Sequence, residues 1–424
     1  YFMKTVSIYI PDGLKTDFEN LCAKLLTNHA GEENQIKYLL LALISIELRN
    51  ENTLNDALFL ALHSIKSENE DIKALALLLL IGYRHKITKD SVLYSTIEES
   101  LQNNIGNLDN ISFNYLSLEL SKALGIKDLE YLYEQAMQST LSRLSEIFLN
   151  NLKSATSFIQ KIVHIDILKK NALENINYMG AYTAMHFCNI LKVSEIEIVR
   201  TKAGHSLIEI FPHLNIEQRN DIAIELIRSL EMQDYKFAKF IPHYLGEILL
   251  YISPKEFDEI LDDFEMNIKT SESNIVFLIL KTLGRYISLY SRYYENYPQE
   301  SRNYKSLFRI VGILMCALVH YEKKVRRAAL EVISKDIFDC LTIDEALKAS
   351  IFKKMAKKML TLLPPKTDDI GQLSIGSSMN RIYRYICEYE LENGAVEYEN
   401  KKNIAFFHGT FDPFTLGHKS IAKT

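Results

Sequence analysis

The sequence is poor in residues that break helices. Fifteen glycines and eight prolines occur in 424 residues, and strict alternation of apolar and polar residues is rare outside Val6 to Ile10. A chain so short of turn formers cannot supply the many tight connections of an all-β fold. Cysteine is also scarce. Cys22, Cys188, Cys316, Cys340 and Cys387 are scattered, with no Cys-x-x-Cys and no histidine at ligand spacing. That excludes a disulfide framework and a structural zinc site, and it fits reduced thiols in a cytosolic protein. Long apolar runs are missing too: the longest, Ala74 to Gly82, is too short to cross a bilayer and follows Lys73. With no secretory signal visible, the expectation is a cytoplasmic protein without a membrane role. Charge of neither sign dominates. Lys and Arg number 49 against 54 Asp and Glu, for a net −5 and a pI near 6.2, so nothing global draws the chain to nucleic acid.

What the chain does have is helical periodicity. Leu14 to Leu26, Gln35 to Leu48, Asn55 to Ile65, Ile72 to Tyr83 and Ser112 to Leu124 each carry apolar residues at i, i+3, i+4 and i+7. The joints between them are short and polar, such as Ser67-Glu68-Asn69-Glu70. The pattern predicts helix after helix from about Leu14 to Leu391, with a change near Leu360, where Pro364-Pro365 and Gly376-Ser377-Ser378 read as loop. One further helix, Met379 to Leu391, precedes a charged linker from Glu397 to Lys402.

The second half is self-similar. Val199 to Leu207 aligns with Phe237 to Leu245, with Ile275 to Leu283 and with Val325 to Ile333, at successive offsets of 38, 38 and 50 residues. The form Val-Arg-x-x-Ala at Val199 and Val325 resembles the second helix of a HEAT repeat, in which a small residue lets stacked helices approach. Ile72 to Leu80 looks like an earlier copy. The implied fold is all-α, an irregular HEAT-like solenoid over residues 1–360 with a linker at 361–402. Ala203, Ile241, Ile279 and Ala329 should then occupy equivalent inward positions, and Ser288 to Ser306 should be an insertion between repeats.

Three groups of side chains compete for functional attention in the helical part. Arg285, Tyr286, Tyr290, Arg292, Tyr293, Tyr294, Tyr297, Arg302 and Tyr304 mix arginine with aromatics, as a single-stranded RNA platform would. Glu295, Glu300 and the overall charge favour instead a helix extension whose tyrosines pack on the next repeat, so nucleic acid is not the expected partner. Lys353, Lys354, Lys357 and Lys358 read as the solvated face of an amphipathic helix. Lys323, Lys324, Arg326 and Arg327 sit at a helix start, where cations are disfavoured, which makes them the better candidates for an acidic protein partner. His205, His213 and His243 lack matching carboxylates or cysteines, so no metal site is expected.

The last residues carry a different signal. Ile404 to Phe407 is a short apolar run, followed by Gly409-Thr410-Phe411-Asp412-Pro413 and then Thr415-x-Gly417-His418 opening an amphipathic stretch. Gly409 and Gly417 have no Cβ and let backbone approach a phosphate, while a helix start beyond them points free N–H groups at it. This segment resembles the opening strand, phosphate loop and first helix of the nucleotidyltransferase superfamily. The resemblance implies an α/β, Rossmann-like domain beginning at residue 403. It also implies binding of nucleotide phosphate by Gly409, Thr410, Phe411, Asp412 and Gly417, with Thr415 and His418 catalytic. His418 would donate to the α-phosphate of ATP as pyrophosphate leaves, with Mg2+ accompanying the ATP. Phe-Asp-Pro points to adenylyl transfer, with nicotinate mononucleotide as acceptor and hence NAD biosynthesis. Thr415 is the choice of the pantetheine-type relatives, and His408 departs from the usual small residue. The family's later Ser/Thr-Arg segment would lie beyond Thr424, so the chain by itself is expected to be inactive. Two readings stand: an adenylyltransferase with a helical docking or regulatory module, or a protein- or RNA-binding HEAT-like scaffold without catalytic activity.

Overall fold

The computed structural model describes residues 12–28, 31–89, 91–104, 111–141, 157–232, 235–298, 304–318 and 320–359. Among them every regular element is helical, and no helix is long and apolar enough to cross a membrane. The alternating stretch Val6 to Ile10, the helix expected at Met379 to Leu391 and the whole nucleotidyltransferase-like segment lie outside the described residues. The chain divides into two compact units. The first comprises residues up to Thr183 with Ser194–Ile210, and the second Ala184–Val193 with residues from Phe211 onward.

The first unit holds α1 (Lys15–Asn28), α2 (Glu33–Ser45), α3 (Glu51–Ser64), α4 (Glu70–Gly82), α5 (Val92–Asn104), α6 (Ile111–Leu124), α7 (Lys127–Leu141) and α8 (Phe158–Glu174). After α9 (Ala181–Val193), most of which belongs to the second unit, α10 (Glu197–Ile210) returns to the first. Helices pack on their next-but-one neighbours in two rows. In one row α1 meets α3, α3 meets α5 and α5 meets α7; in the other α2 meets α4, α4 meets α6 and α8 meets α10. This nearest-neighbour packing is how helical repeats bury a core that no single hairpin could bury alone.

Local sequence explains the helix starts and their burial. The Asn50 side chain accepts hydrogen bonds from the N–H groups of Asn52 and Thr53 at 3.0 and 3.2 Å, Asn69 does the same for Asp71 and Ile72, and Ser157 for Ile159. Each cap satisfies donors that the first turn leaves open and contributes about 1 kcal/mol. The long apolar run belongs to α4, which is covered by α2, α3 and α6 and buried from Ala74 through Leu80. The turn from α2 to α3 is tied down from both sides. The Tyr83 hydroxyl donates to the Ile46 carbonyl at 3.0 Å, and the Glu19 carboxylate accepts from the N–H groups of Arg49 and Asn50 at 2.7 and 2.8 Å.

The second unit contains α11 (Ile216–Ser229), α12 (Ile241–Ile248), α13 (Pro254–Thr270), α14 (Ser273–Asn296), α15 (Tyr304–Ala317), α16 (Lys323–Glu331) and α17 (Glu345–Met359). α12, α14 and α16 form one row; α13, α15 and α17 form the other. Two glycines set the spacing of the first row. A Cβ on Gly246 would sit 2.7 Å from the Thr282 carbonyl oxygen and 2.6 Å from the Arg285 Cβ, and one on Gly284 would strike the Asp336 carboxylate and both Val332 methyls.

The repeat register read from the sequence recurs in these contacts. Arg285 pairs with Glu247 at 3.2 Å across 38 residues, and Lys324 donates to the Asn274 side chain across 50. Ala203, Ile241, Ile279 and Ala329 are all no more than 1% exposed. The arginines of the Val-Arg motif also behave alike. Arg200 donates to the Ser194 carbonyl, and Arg326 to that of His320 at 2.8 Å, each reaching back six residues to clamp the preceding turn.

Within the segment Ser288 to Ser306, the part up to Asn296 is the unbroken continuation of α14. Its tyrosines fill the core: Tyr286, Tyr290 and Tyr293 are buried, with ring centroids 4.8 Å from Phe257, 4.8 Å from Tyr294 and 5.0 Å from Tyr251, respectively. Rings so enclosed cannot stack on bases. The buried thiols are equally inaccessible: burial pushes Cys22 up to about 11 and Cys188 up to about 12.

Candidate functional site

The most distinctive exposed chemistry among the described residues lies on the second unit, where the leading ends of three elements in the α12–α14–α16 row converge. They are the turn of helix Tyr235–Ala238 that precedes α12, the first turns of α14 and the first turn of α16. The Lys324 ammonium stands 4.6 Å from the centroid of the Tyr235 ring and 5.0 Å from that of Phe277. Lys281 lies 5.7 Å from the same Phe277 centroid and pairs with Glu331 at 2.8 Å. Tyr235 and Phe277 are half-buried, so each ring presents an edge to solvent beside a cation.

Around this cradle the charge is of one sign in excess. Lys239, Lys323 and Arg327 are exposed and make no ion pair among the described residues. The Lys239 ammonium rests 4.8 Å from the Phe240 centroid. Lys323 and Lys324 occupy the first turn of α16, whose N-cap residue Glu322 supplies no side-chain cap. A cation there opposes the helix dipole at a cost of about 0.3–1 kcal/mol. Cation–π contact compensates Lys324; nothing described compensates Lys323. Arg326, by contrast, is buried and spent on the carbonyls of His320 and Tyr321 at 2.8 and 2.7 Å, so it leaves the set of candidates for an acidic partner. The arrangement can hold carboxylates or phosphates against cations while an apolar side chain lies on the ring edges.

A second charged group, in the first unit, is structural. Lys202 is 1% exposed and donates to Asp166 at 2.7 Å; Asp166 also accepts from the Tyr115 hydroxyl at 3.0 Å and pairs with Lys169 at 3.3 Å, which in turn meets Glu209 at 2.9 Å. Burial would push the Asp166 carboxyl up, but Lys202, Lys169 and the hydrogen bonds from Lys202 and Tyr115 outweigh it and hold it below the usual range. The group knits α6, α8 and α10 together. Sequence reasoning missed it, because a lysine inside an amphipathic helix looks like solvated surface; its one signal is Lys202 standing directly before the inward-facing Ala203.

No protein-family profile matches the chain, and no curated protein matches it. Among solved structures it is similar to the karyopherin Kap121p in its crystal structure bound to the SUMO protease Ulp1p. The two are 12% identical with a TM-score of 0.35, over 90% of this chain and 47% of that one. The chain thus spans about half the length of that karyopherin.

Of the residues singled out in the sequence, Gly409, Thr410, Phe411, Asp412, Thr415, Gly417 and His418 lie outside the described residues. So do the side chains of Lys353, Lys354, Lys357 and Lys358, although α17 buries Ile351, Phe352 and Met355 on its inner face as the pattern required. His213 and His243 are exposed and His205 is half-buried. No group of three His, Cys, Asp or Glu positioned to hold a metal ion is found among the described residues.

Proposed function

We propose that the helical part of this chain is a docking module that holds an acidic segment of a partner protein on the basic, aromatic face of the second unit. The observation that carries this reading is the trio Lys239, Lys323 and Arg327, exposed around half-buried Tyr235 and Phe277. Helical repeats present such rows as extended surfaces, and excess charge of one sign steers an oppositely charged partner toward them. A fluorescein-labelled peptide of Asp, Glu and Phe, titrated into the full chain, tests the idea. Lys239→Glu, Lys323→Glu and Arg327→Glu together should weaken binding about a hundredfold or more at low salt, with the wild-type affinity falling as salt rises. Binding that survives the triple reversal sinks this reading.

A second reading is favoured by the segment Gly409 to His418: transfer of an adenylyl group from ATP to nicotinate mononucleotide, with the helical part as its docking or regulatory module. An acceptor phosphate oxygen attacks the α-phosphorus, and pyrophosphate departs with Mg2+ neutralising it. His418→Ala should then lower pyrophosphate release by about two to three orders of magnitude, the scale for losing one donor to a developing oxyanion. Thr415→Ala should cost less, because a neutral hydroxyl is the weaker donor. The assay includes phosphopantetheine as an alternative acceptor and CTP as an alternative donor. Near-normal turnover by His418→Ala would leave the docking reading alone.

A further inference from the structure

The first unit carries a groove of different character. It has a volume of about 470 Å³ and lies between the end of α1, the start of α2 and the outer face of α3. Leu26, Ile36, Phe59 and Leu60 supply its apolar surface, and Glu33 and Asp56 stand on its walls; no lysine or arginine lines it. The volume falls within the range of about 300–1,000 Å³ usual for ligand clefts.

The α3 sequence explains why this face is open. Ala57, Leu58, Ala61 and Leu62 are buried on the inner side of the helix. Asp56, Phe59, Leu60 and His63 follow at i, i+3, i+4 and i+7 and form a second, outward stripe. Phe59 is 52% exposed, and Leu26 at the end of α1 lines the same groove. Phe59 and Leu60 at the centre of this stripe, with Leu26 and Ile36 across the groove, form an apolar patch with no helix on it among the described residues, which marks an interaction surface rather than a solvent face. The Asp56 carboxylate makes no hydrogen bond or ion pair among the described residues, and Glu33 accepts one bond, from the Asn69 amide at 3.3 Å.

We propose that this groove takes a basic amphipathic helix of a partner protein. Its leucine-like side chains would lie on Ile36, Phe59 and Leu60, and its lysine or arginine side chains would reach Asp56 and Glu33. The two carboxylates stand on different helices, α2 and α3, so a cation-bearing helix laid between them meets one on each side. Such helix-in-groove docking reads as apolar anchors at i, i+3, i+4 and i+7. The charge preference is opposite to that of the second unit's face, and the inference does not depend on that reading.

The test uses the full chain and a fluorescein-labelled helical peptide of leucine and lysine, with a control peptide in which glutamate replaces every lysine. The leucine–lysine peptide should bind and the leucine–glutamate peptide should not. Phe59→Asp and Asp56→Lys should each weaken binding by about tenfold or more, as expected for an anchor position. Asp128→Lys, the same charge change at an exposed site on α7, should leave it within about twofold, as surface charges remote from a contact do. Phe59 is exposed, so its replacement leaves the fold intact. Independently, hydrogen exchange on the unaltered protein should show peptide-induced protection within residues 33–45 and 51–64. Equal binding of both peptides, equal loss on Asp128→Lys, or protection confined to other helices overturns the proposal. So does a concentration-dependent dimer abolished by Phe59→Asp, since a second copy would then be the occupant.

Discussion

α10 and α16 carry the same repeat motif and solve the same packing problem with different chemistry. Each begins with a Val-Arg pair whose arginine clamps the preceding turn, and each buries an alanine, Ala203 or Ala329, four residues after its valine. Between arginine and alanine they diverge. α10 places Lys202 in the core against Asp166, whereas α16 places Ala328 there, 1% exposed. The first unit is therefore joined along one of its rows by buried charge, and the second along one of its rows by close helix approach at Gly246 and Gly284 with tyrosine rings behind it. A repeat position thus specifies direction, inward, and leaves the chemistry to whatever the neighbouring helix offers.

The sharpest way to break this contrast is to remove the charge. Lys202→Ala leaves Asp166 buried with a single cation, Lys169, and opens a cavity, so the full chain should lose about 3–5 kcal/mol in urea denaturation. Lys202→Met restores the volume without the charge and should recover part of that loss. If Lys202→Ala costs under about 1 kcal/mol, the pair contributes little more than a surface ion pair would.

Next in size is the shared clamp. Arg326→Met strips the donor from two carbonyls, those of His320 and Tyr321, and should cost about 1.5–3 kcal/mol, the range for hydrogen bonds from charged groups. Arg200→Met strips it from that of Ser194 and should cost less. Equal losses would mean that both turns have other supports of the same strength.

The close approach gives a smaller effect. Gly246→Ala gains up to about 1 kcal/mol of helix propensity. It also drives a methyl to within 2.7 Å of the Thr282 carbonyl, a backbone atom that cannot swing aside. Overpacking of this kind costs about 1–3 kcal/mol, so the net change should be a destabilisation of about 1 kcal/mol. A stabilised variant would show that the two helices separate freely.

These features differ in how far the sequence disclosed them. Helix spans were legible because apolar residues at i, i+3, i+4 and i+7 have one physical reading: Ile72 to Tyr83 as read from the sequence is Glu70–Gly82 in the structure. The offsets of 38 and 50 were legible because a small or branched residue must recur where rows touch. Partner choice was not. Lys202 and Arg326 look like the cations of any amphipathic helix, and their burial depends on Asp166, which lies 36 residues earlier, and on two carbonyls of the preceding turn that carry no side-chain signal. The groove beside Phe59 was hidden for the converse reason, since its outward stripe is indistinguishable in one dimension from a second core face. The basic face was half legible: the misfit of Lys323 and Lys324 at a helix start pointed to it, but the rings that complete it come from two other helices.

The finest test of the contrast uses two carboxylates whose proton affinities shift in opposite directions. In the first unit Asp166 is held below the usual range by Lys202, Lys169 and Tyr115 against the effect of burial. Its contribution is present above the unfolded value near 3.9 and is lost as pH falls through its folded value. In the second unit Asp336 faces Gly284, and burial pushes its carboxyl up despite Lys281, Lys335 and Arg285 nearby, with Glu331 adding to the rise. A folded state that holds its proton more tightly than the unfolded chain is favoured below the unfolded value and loses that advantage as pH rises through the folded one. Asp166→Asn should therefore destabilise the full chain at pH 7, and Asp336→Asn should stabilise it. Both differences should shrink toward pH 3: Asp336 is protonated there in both states, and for Asp166 the unfolded chain has taken up its proton, which removes part of the folded carboxylate's advantage. Urea titrations of the two variants at pH 7 and pH 3 read the signs directly. If Asp336→Asn were destabilising at pH 7 by as much as Asp166→Asn, Asp336 would be serving its unit as an ion-pair partner, and the division between a charge-joined unit and a close-packed one would fail.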